Sequence, residues 1–158
     1  MFQIGDKVVY PMHGAGIIQG IEEKEILGET RQYYVLFLPL KNMKVLLPVD
    51  NADKLGLRLI IGDVEVDNVF GVLAEDQSQM PQNWNRRYRS NMEKVKSGDV
   101  FEVADVVRNL MLMDRKKGLS TGERKMLTNS KQILASEICL VRDIDEKEVN
   151  KMIDTAVQ

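Results

Sequence analysis

The hydrophobic pattern of this 158-residue chain changes period once, near residue 60, and that change limits what it can fold into. Up to residue 56 the apolar residues come in short β-branched and aromatic runs closed by Pro or Gly: Lys7-Val8-Val9-Tyr10 before Pro11, Ile17 to Ile21, Tyr33 to Leu38, and Met43 to Pro48. Such runs with turn residues between them predict short strands. From residue 63 onward the apolar residues recur every three or four positions, the period of a helix with one buried face. A chain of this kind builds a β-module first and an α-module second.

Four or five strands in about 50 residues suit a small SH3- or Tudor-like barrel. The second strand is expected to run on through Lys24 to Leu27, with a hairpin turn at Gly28-Glu29. Asn51 to Gly56 reads as one helical turn that ends this module. Five helices are predicted beyond it. A short one carries Val64, Val66, Val69, Phe70 and Leu73, and a polar connector leads to Pro81. The next runs from Trp84 to Ser97, with Tyr88, Met92 and Val95 on one face. Asp99, with Glu102 three residues on, caps a third, and Ser120-Thr121-Gly122-Glu123 has capping-box spacing for a fourth. Asp145 to Val157 is the fifth. The expected architecture is α+β, with domains at 1–56 and 64–158 joined by a linker at 57–63.

No apolar run approaches the length needed to span a bilayer, and the first residues lack the basic start and apolar core of a signal peptide. Cys139 is the lone cysteine, which fits a reducing cytoplasm. Catalytic chemistry finds little material. His13 is the one histidine and has no nucleophile motif near it, and Cys139 falls within an apolar helical stripe. Gly14-Ala15-Gly16 lacks the continuation of a phosphate loop, and too few His and Cys residues exist for a zinc site. The expectation is a protein that is not an enzyme and uses no metal, cofactor or small-molecule substrate.

Charge is distributed unevenly despite a net value of only −2. Residues 61–80 hold five carboxylates and no Lys or Arg, whereas Arg86, Arg87, Arg89, Lys94 and Lys96 face a single Glu93 within 81–97. The sole tryptophan, Trp84, opens that basic stretch, and Arg124 and Lys125 add charge at the start of a later helix. Two readings fit. Arginines neutralise phosphates while an aromatic ring addresses bases; or Trp84 packs inward and the arginines lie on a solvated face. A second contact surface is expected at the barrel's strand edge, around Lys24 to Ile26 and Met43 to Leu46.

Several motifs then coincide in order. Phe2-x-Ile4-Gly5-Asp6-x-Val8-Val9-Tyr10-Pro11-x-His13-Gly14-x-Gly16, Pro81-x-Asn83-Trp84-x-Arg86-Arg87-Tyr88, Ser97-Gly98-Asp99 and Gly118-Leu119-Ser120-x-Gly122-Glu123-x-x-Met126-Leu127 resemble the CarD/CdnL family of bacterial transcription regulators over nearly the whole chain. The N-terminal part also resembles the polymerase-binding module of the transcription-repair coupling factor. The resemblance implies docking on the RNA polymerase β subunit, in holoenzyme with the housekeeping sigma factor, through Lys24, Ile26, Lys44 and Leu46. It implies contact with promoter DNA through Trp84, Arg86, Arg87, Arg89 and Arg124, with the tryptophan wedged at the upstream edge of the transcription bubble. Leu46 departs from the arginine usual in the family's fourth strand, which bears on the strength and salt dependence of docking.

Overall fold

The computed structural model describes residues 1–158. Its elements are β1 (Lys7–Tyr10), β2 (Gly14–Ile26), β3 (Glu29–Leu38), β4 (Met43–Pro48), β5 (Arg58–Leu59), α1 (Asp63–Leu73), α2 (Trp84–Lys96), α3 (Val100–Lys117), α4 (Thr121–Arg142) and α5 (Glu146–Ala156). The aromatic and β-branched run of β3 is buried from Tyr33 to Leu36, where β2 pairs on one side and β4 on the other. The strands form one antiparallel sheet in the order β4-β3-β2-β1-β5, with the last strand returning to pair with the first. Val8, Ile18, Tyr34, Leu36, Leu38, Leu47, Ala52 and Leu57 fill its core.

Three details differ from the sequence expectation. The β2–β3 turn is Leu27-Gly28, at φ 54° and 79°, one residue earlier than predicted. Two successive left-handed residues make the primed turn whose twist matches flanking strands. The second difference lies in the expected linker 57–63. Leu57 belongs to the sheet core, and Arg58 and Leu59 pair with Val9 and Val8. A two-residue strand has too little pattern to be legible, so the sheet extends past residue 56. The helical turn expected at Asn51 to Gly56 is a 3-10 turn at Val49–Asn51.

The helices start where their caps are. Side chains of Asn83, Asp99, Ser120 and Asp145 each accept a hydrogen bond from a backbone N–H in the first turn of α2, α3, α4 and α5. Each such cap stabilises by about 1 kcal/mol. Val66, Val69 and Leu73 of α1 pack with Val103, Val107, Leu134, Ile138, Val149 and Ile153 in the main helical core. A smaller cluster of Val95, Val106, Leu110, Met126 and Ile133 seats α2 against α3 and α4, with Tyr88 and Met92 beside it.

Helix α4 joins the two modules. The Ala15 N–H donates to Ser136 Oγ at 2.8 Å, and that oxygen lies 3.0 Å from where a Gly14 side chain would begin; the tight approach together with a φ of 110° favours glycine there. Glu137 accepts two hydrogen bonds from Arg58, both at 2.8 Å, and a third from the Ile61 N–H at 2.9 Å. The two partners are buried unequally, with side-chain exposures of 29% for Arg58 and 3% for Glu137. Loss of the more accessible partner is therefore the more damaging change. Arg58→Met strands a buried carboxylate and is expected to lower stability by about 3 kcal/mol. Glu137→Gln leaves a cation that can reach water and is expected to cost clearly less. Urea unfolding of both variants checks this; equal losses would refute it.

Candidate nucleic-acid interface

Asn83 sets the geometry of the Trp84 corner. Its Oδ1 accepts from the Arg86 N–H at 3.1 Å, which fixes where α2 begins and aims Trp84 at the start of α4. The indole Nε1–H donates to Ser120 Oγ at 2.8 Å, and the ring stacks on Tyr88 one helical turn later, 5.2 Å between centroids and 21° between planes. A methyl group on Gly122 would touch both rings at 3.5 Å, so the first turn of α4 lies close against them. Trp84 remains 41% exposed. It belongs to none of the buried clusters, yet one edge is tied down; neither simple reading of the residue describes it.

Ser120 has two tasks. As the cap of α4 it accepts from the Glu123 N–H at 3.2 Å, and its hydroxyl donates to Glu123 Oε1 at 3.2 Å. Glu123 in turn accepts from Arg87 Nε at 2.7 Å and Nη2 at 3.1 Å, and Arg87 Nη1 donates to the Gln82 carbonyl at 3.0 Å. A continuous chain of hydrogen bonds thus runs from the indole through Ser120 and Glu123 to Arg87 and back to the segment before α2. Both charged members are buried. Burial pushes the Glu123 carboxyl up, but the Arg87 bonds and charge and the Ser120 bonds outweigh it and hold it below the usual glutamate value. The Glu123 bond keeps Arg87 charged more firmly than usual.

Arg87 is therefore not among the outward-facing cations. Its position, four residues before Asn91 and eight before Val95, puts it on the buried side of α2, a signal available in the helical period. Arg86 and Arg89 are exposed. Neither takes part in a salt bridge within the protein. Arg124 is exposed too, held loosely by Asp114 at 3.6 Å and the Leu119 carbonyl at 3.4 Å, and Lys125 is exposed beside it.

The acidic stretch is less available than its composition implies. Asp63 and Asp67 bind Arg142 at 2.9 Å and 2.7 Å, and Glu75 reaches Arg108 at 3.2 Å. Arg108 is almost wholly buried and also bonds the Val72 carbonyl, Asp105 and Asn109. Asn109 takes the Ser78 N–H at 3.0 Å. That network, invisible in the residue pattern, pins the connector leading into α2.

On the sheet, Lys24 and Ile26 of β2 and Lys44 and Leu46 of β4 stand on the same face. Glu22 lies opposite Tyr33, and Tyr33, Val35 and Phe37 lie opposite Pro48, Leu46 and Lys44, while Tyr34, Leu36 and Leu47 turn to the core. β3 separates the two pairs, so they form a face and not one strand edge; of these two strands β4 lies at an edge of the sheet and β2 does not. Lys24 lies 3.8 Å from Glu22, and Leu46 is exposed.

Comparison with known proteins follows this division. Residues 2–61 match the CarD-like/TRCF RID domain and residues 68–154 match the CarD C-terminal domain. A Bacillus subtilis (strain 168) protein described as "Putative transcription factor YdeB" is 41% identical over 149 residues, covering 94% of this chain and 97% of that one. The chain belongs to the CarD family. The solution NMR structure of the 72-residue N-terminal domain of Myxococcus xanthus CarD is 25% identical over 37% of this chain and 79% of its own, with a TM-score of 0.33.

This is a family of transcription regulators and not an enzyme class. In this CarD-family chain His13 stacks on Tyr10 at 4.3 Å, and burial together with Lys41 pushes its imidazole down. Burial raises the Cys139 thiol to about 11, with Glu146 and Asp145 adding to the effect. No helix is long and apolar enough to cross a membrane.

The Glu123 geometry has a pH consequence. A carboxyl lowered in the folded state contributes stability that is complete above its ordinary value, about 4.3, and is lost as pH falls through the lowered value. Emission from Trp84, excited selectively, is expected to stay native-like at neutral pH and to change only below about pH 4 in the wild type. Glu123→Gln is expected to show altered emission already at pH 7. Superimposable titrations of the two proteins would remove Glu123 from this role.

Proposed function

We propose that this CarD-family chain is a non-enzymatic regulator that docks on the β subunit of RNA polymerase, in holoenzyme with the housekeeping sigma factor, and stabilises the promoter open complex. The sheet face bearing Lys24, Ile26, Lys44 and Leu46 is the polymerase contact. The Trp84 corner meets promoter DNA at the upstream edge of the bubble. The observation that carries this reading is the half-exposed Trp84, locked by Ser120 and Tyr88 and flanked by the exposed Arg86 and Arg89.

The roles divide by chemistry. Trp84 is the wedge against a base step, and Arg86, Arg89 and Arg124 neutralise backbone phosphates. Arg87 holds the wedge's support and does not touch DNA. Partial unstacking of a step costs a few kcal/mol, so a ring already fixed in place avoids a further ordering cost. Tethering to the polymerase raises the local concentration, which lets a protein of net charge −2 act with few basic residues. Binding the open complex more tightly than the closed one by ~1.4 kcal/mol shifts their ratio tenfold.

Open-complex lifetime on cognate polymerase tests the reading directly. Wild type is expected to lengthen it, and Trp84→Ala to return it to the factor-free value while lowering folding stability by only about 1 kcal/mol. A variant that lengthens the lifetime as wild type does would leave the polymerase contact as the whole effect. Arg86→Glu is expected to weaken promoter contact several-fold, with a shallower salt dependence and unchanged polymerase binding. Unaltered activity would count against the basic flank.

A further inference from the structure

We propose that the β2–β3 turn is a hydrophobic anchor, in which Leu27, with Ile26 beside it, enters an apolar pocket on RNA polymerase bordered by basic groups. This rests on the polymerase reading above and adds to it a residue outside the four-residue docking set.

Leu27 is disfavoured where it stands on two separate counts. Its φ is 54°, in the left-handed region, as the first residue of a turn whose second is Gly28 at 79°. That turn favours Asn, Asp or Gly, because a side chain beyond Cβ crowds the backbone there. The side chain is also 99% exposed, so no contact within the protein offsets the conformational cost. A strained backbone carrying an apolar group in water is a reason to look for a partner.

The surroundings direct the group outward. Pairing of β4 with β3 reaches only the Tyr33–Pro48 register, and pairing of β1 with β2 reaches only Lys7–Ile17. The end of the hairpin therefore has no strand neighbour on either side, and residues 22–32 are exposed throughout. Ile26, itself 48% exposed, shares a face with Lys24, so the turn continues the proposed docking surface. Charge decides the rim. Glu22, Glu23, Glu25 and Glu29 outnumber Lys24 and Arg31 on this hairpin, and those two cations already face Glu22 at 3.8 Å and Asp50 at 3.4 Å. Glu25 and Glu29 flank the turn closely, so the complementary pocket carries positive charge at its edge.

The test uses full-length protein and cognate core polymerase. Equilibrium binding is measured for wild type, Leu27→Asn and Leu27→Met, and thermal unfolding for each. Asn suits the turn, so L27N is expected to unfold at the same temperature or higher while its Kd rises at least tenfold; L27M is expected to bind within about threefold of wild type. Undiminished binding by L27N overturns the anchor and leaves polymerase docking in place. Equal weakening of L27N and L27M also overturns it, since an apolar pocket accepts methionine. Absence of wild-type binding overturns the polymerase reading, and the anchor with it.

Discussion

The buried carboxylate of Glu137 is the interaction on which the arrangement of this protein depends. It accepts three hydrogen bonds from the segment that leaves the sheet, two from Arg58 and one from the Ile61 N–H. A carboxylate removed from water needs its lone pairs filled, and here one short stretch of backbone and side chain fills them. Arg58 adds a bond to the Gly98 carbonyl at 2.8 Å, which draws in the α2–α3 turn. The sheet, α4 and the end of α2 are thereby fixed together through one pair of charges. Hydrophobic contact alone would hold these parts without selecting one orientation, because apolar packing is not directional.

The same device recurs at the Trp84 corner on a smaller scale. Arg87 and Glu123 form a buried pair, and Ser120 links that pair to the indole. Such a pair adds little net stability over a well-packed apolar substitute. What it supplies is direction, since planar groups with two parallel hydrogen bonds tolerate little rotation. The capping box of α4 has been extended into a mount for an aromatic ring. The exposed arginines on α2 then surround a ring whose orientation is set before any partner arrives.

The two proposed contact surfaces differ in chemistry as well as place. The sheet face mixes apolar Ile26 and Leu46 with Lys24 and Lys44, whereas the helical corner offers an aromatic edge among cations. Several of the acidic groups preceding that corner are tied internally by Arg142 and Arg108. Those ties pair the surface carboxylates of Asp63, Asp67 and Glu75 with cations, in bonds that hold α1 and the connector.

Much of this was legible in the residues. The change of period divided the sheet from the helices, and Asn83, Asp99, Ser120 and Asp145 marked helix starts because capping is a local reaction between a side chain and the next few N–H groups. The motif order pointed to the CarD family and to Trp84. The sequence by itself determined which segments become strands and helices and which faces they bury. Strand β5 escaped because two residues carry no period, and the Leu27-Gly28 turn was misplaced by one residue because either glycine-containing pair can satisfy a hairpin. Only the tertiary structure decided that the inward-facing Arg87 meets Glu123, that Glu137 waits for Arg58, and that Trp84 is held at one edge and free at the other. Those outcomes depend on which charges meet across distant segments, and no local pattern encodes the distance between side chains separated by tens of residues.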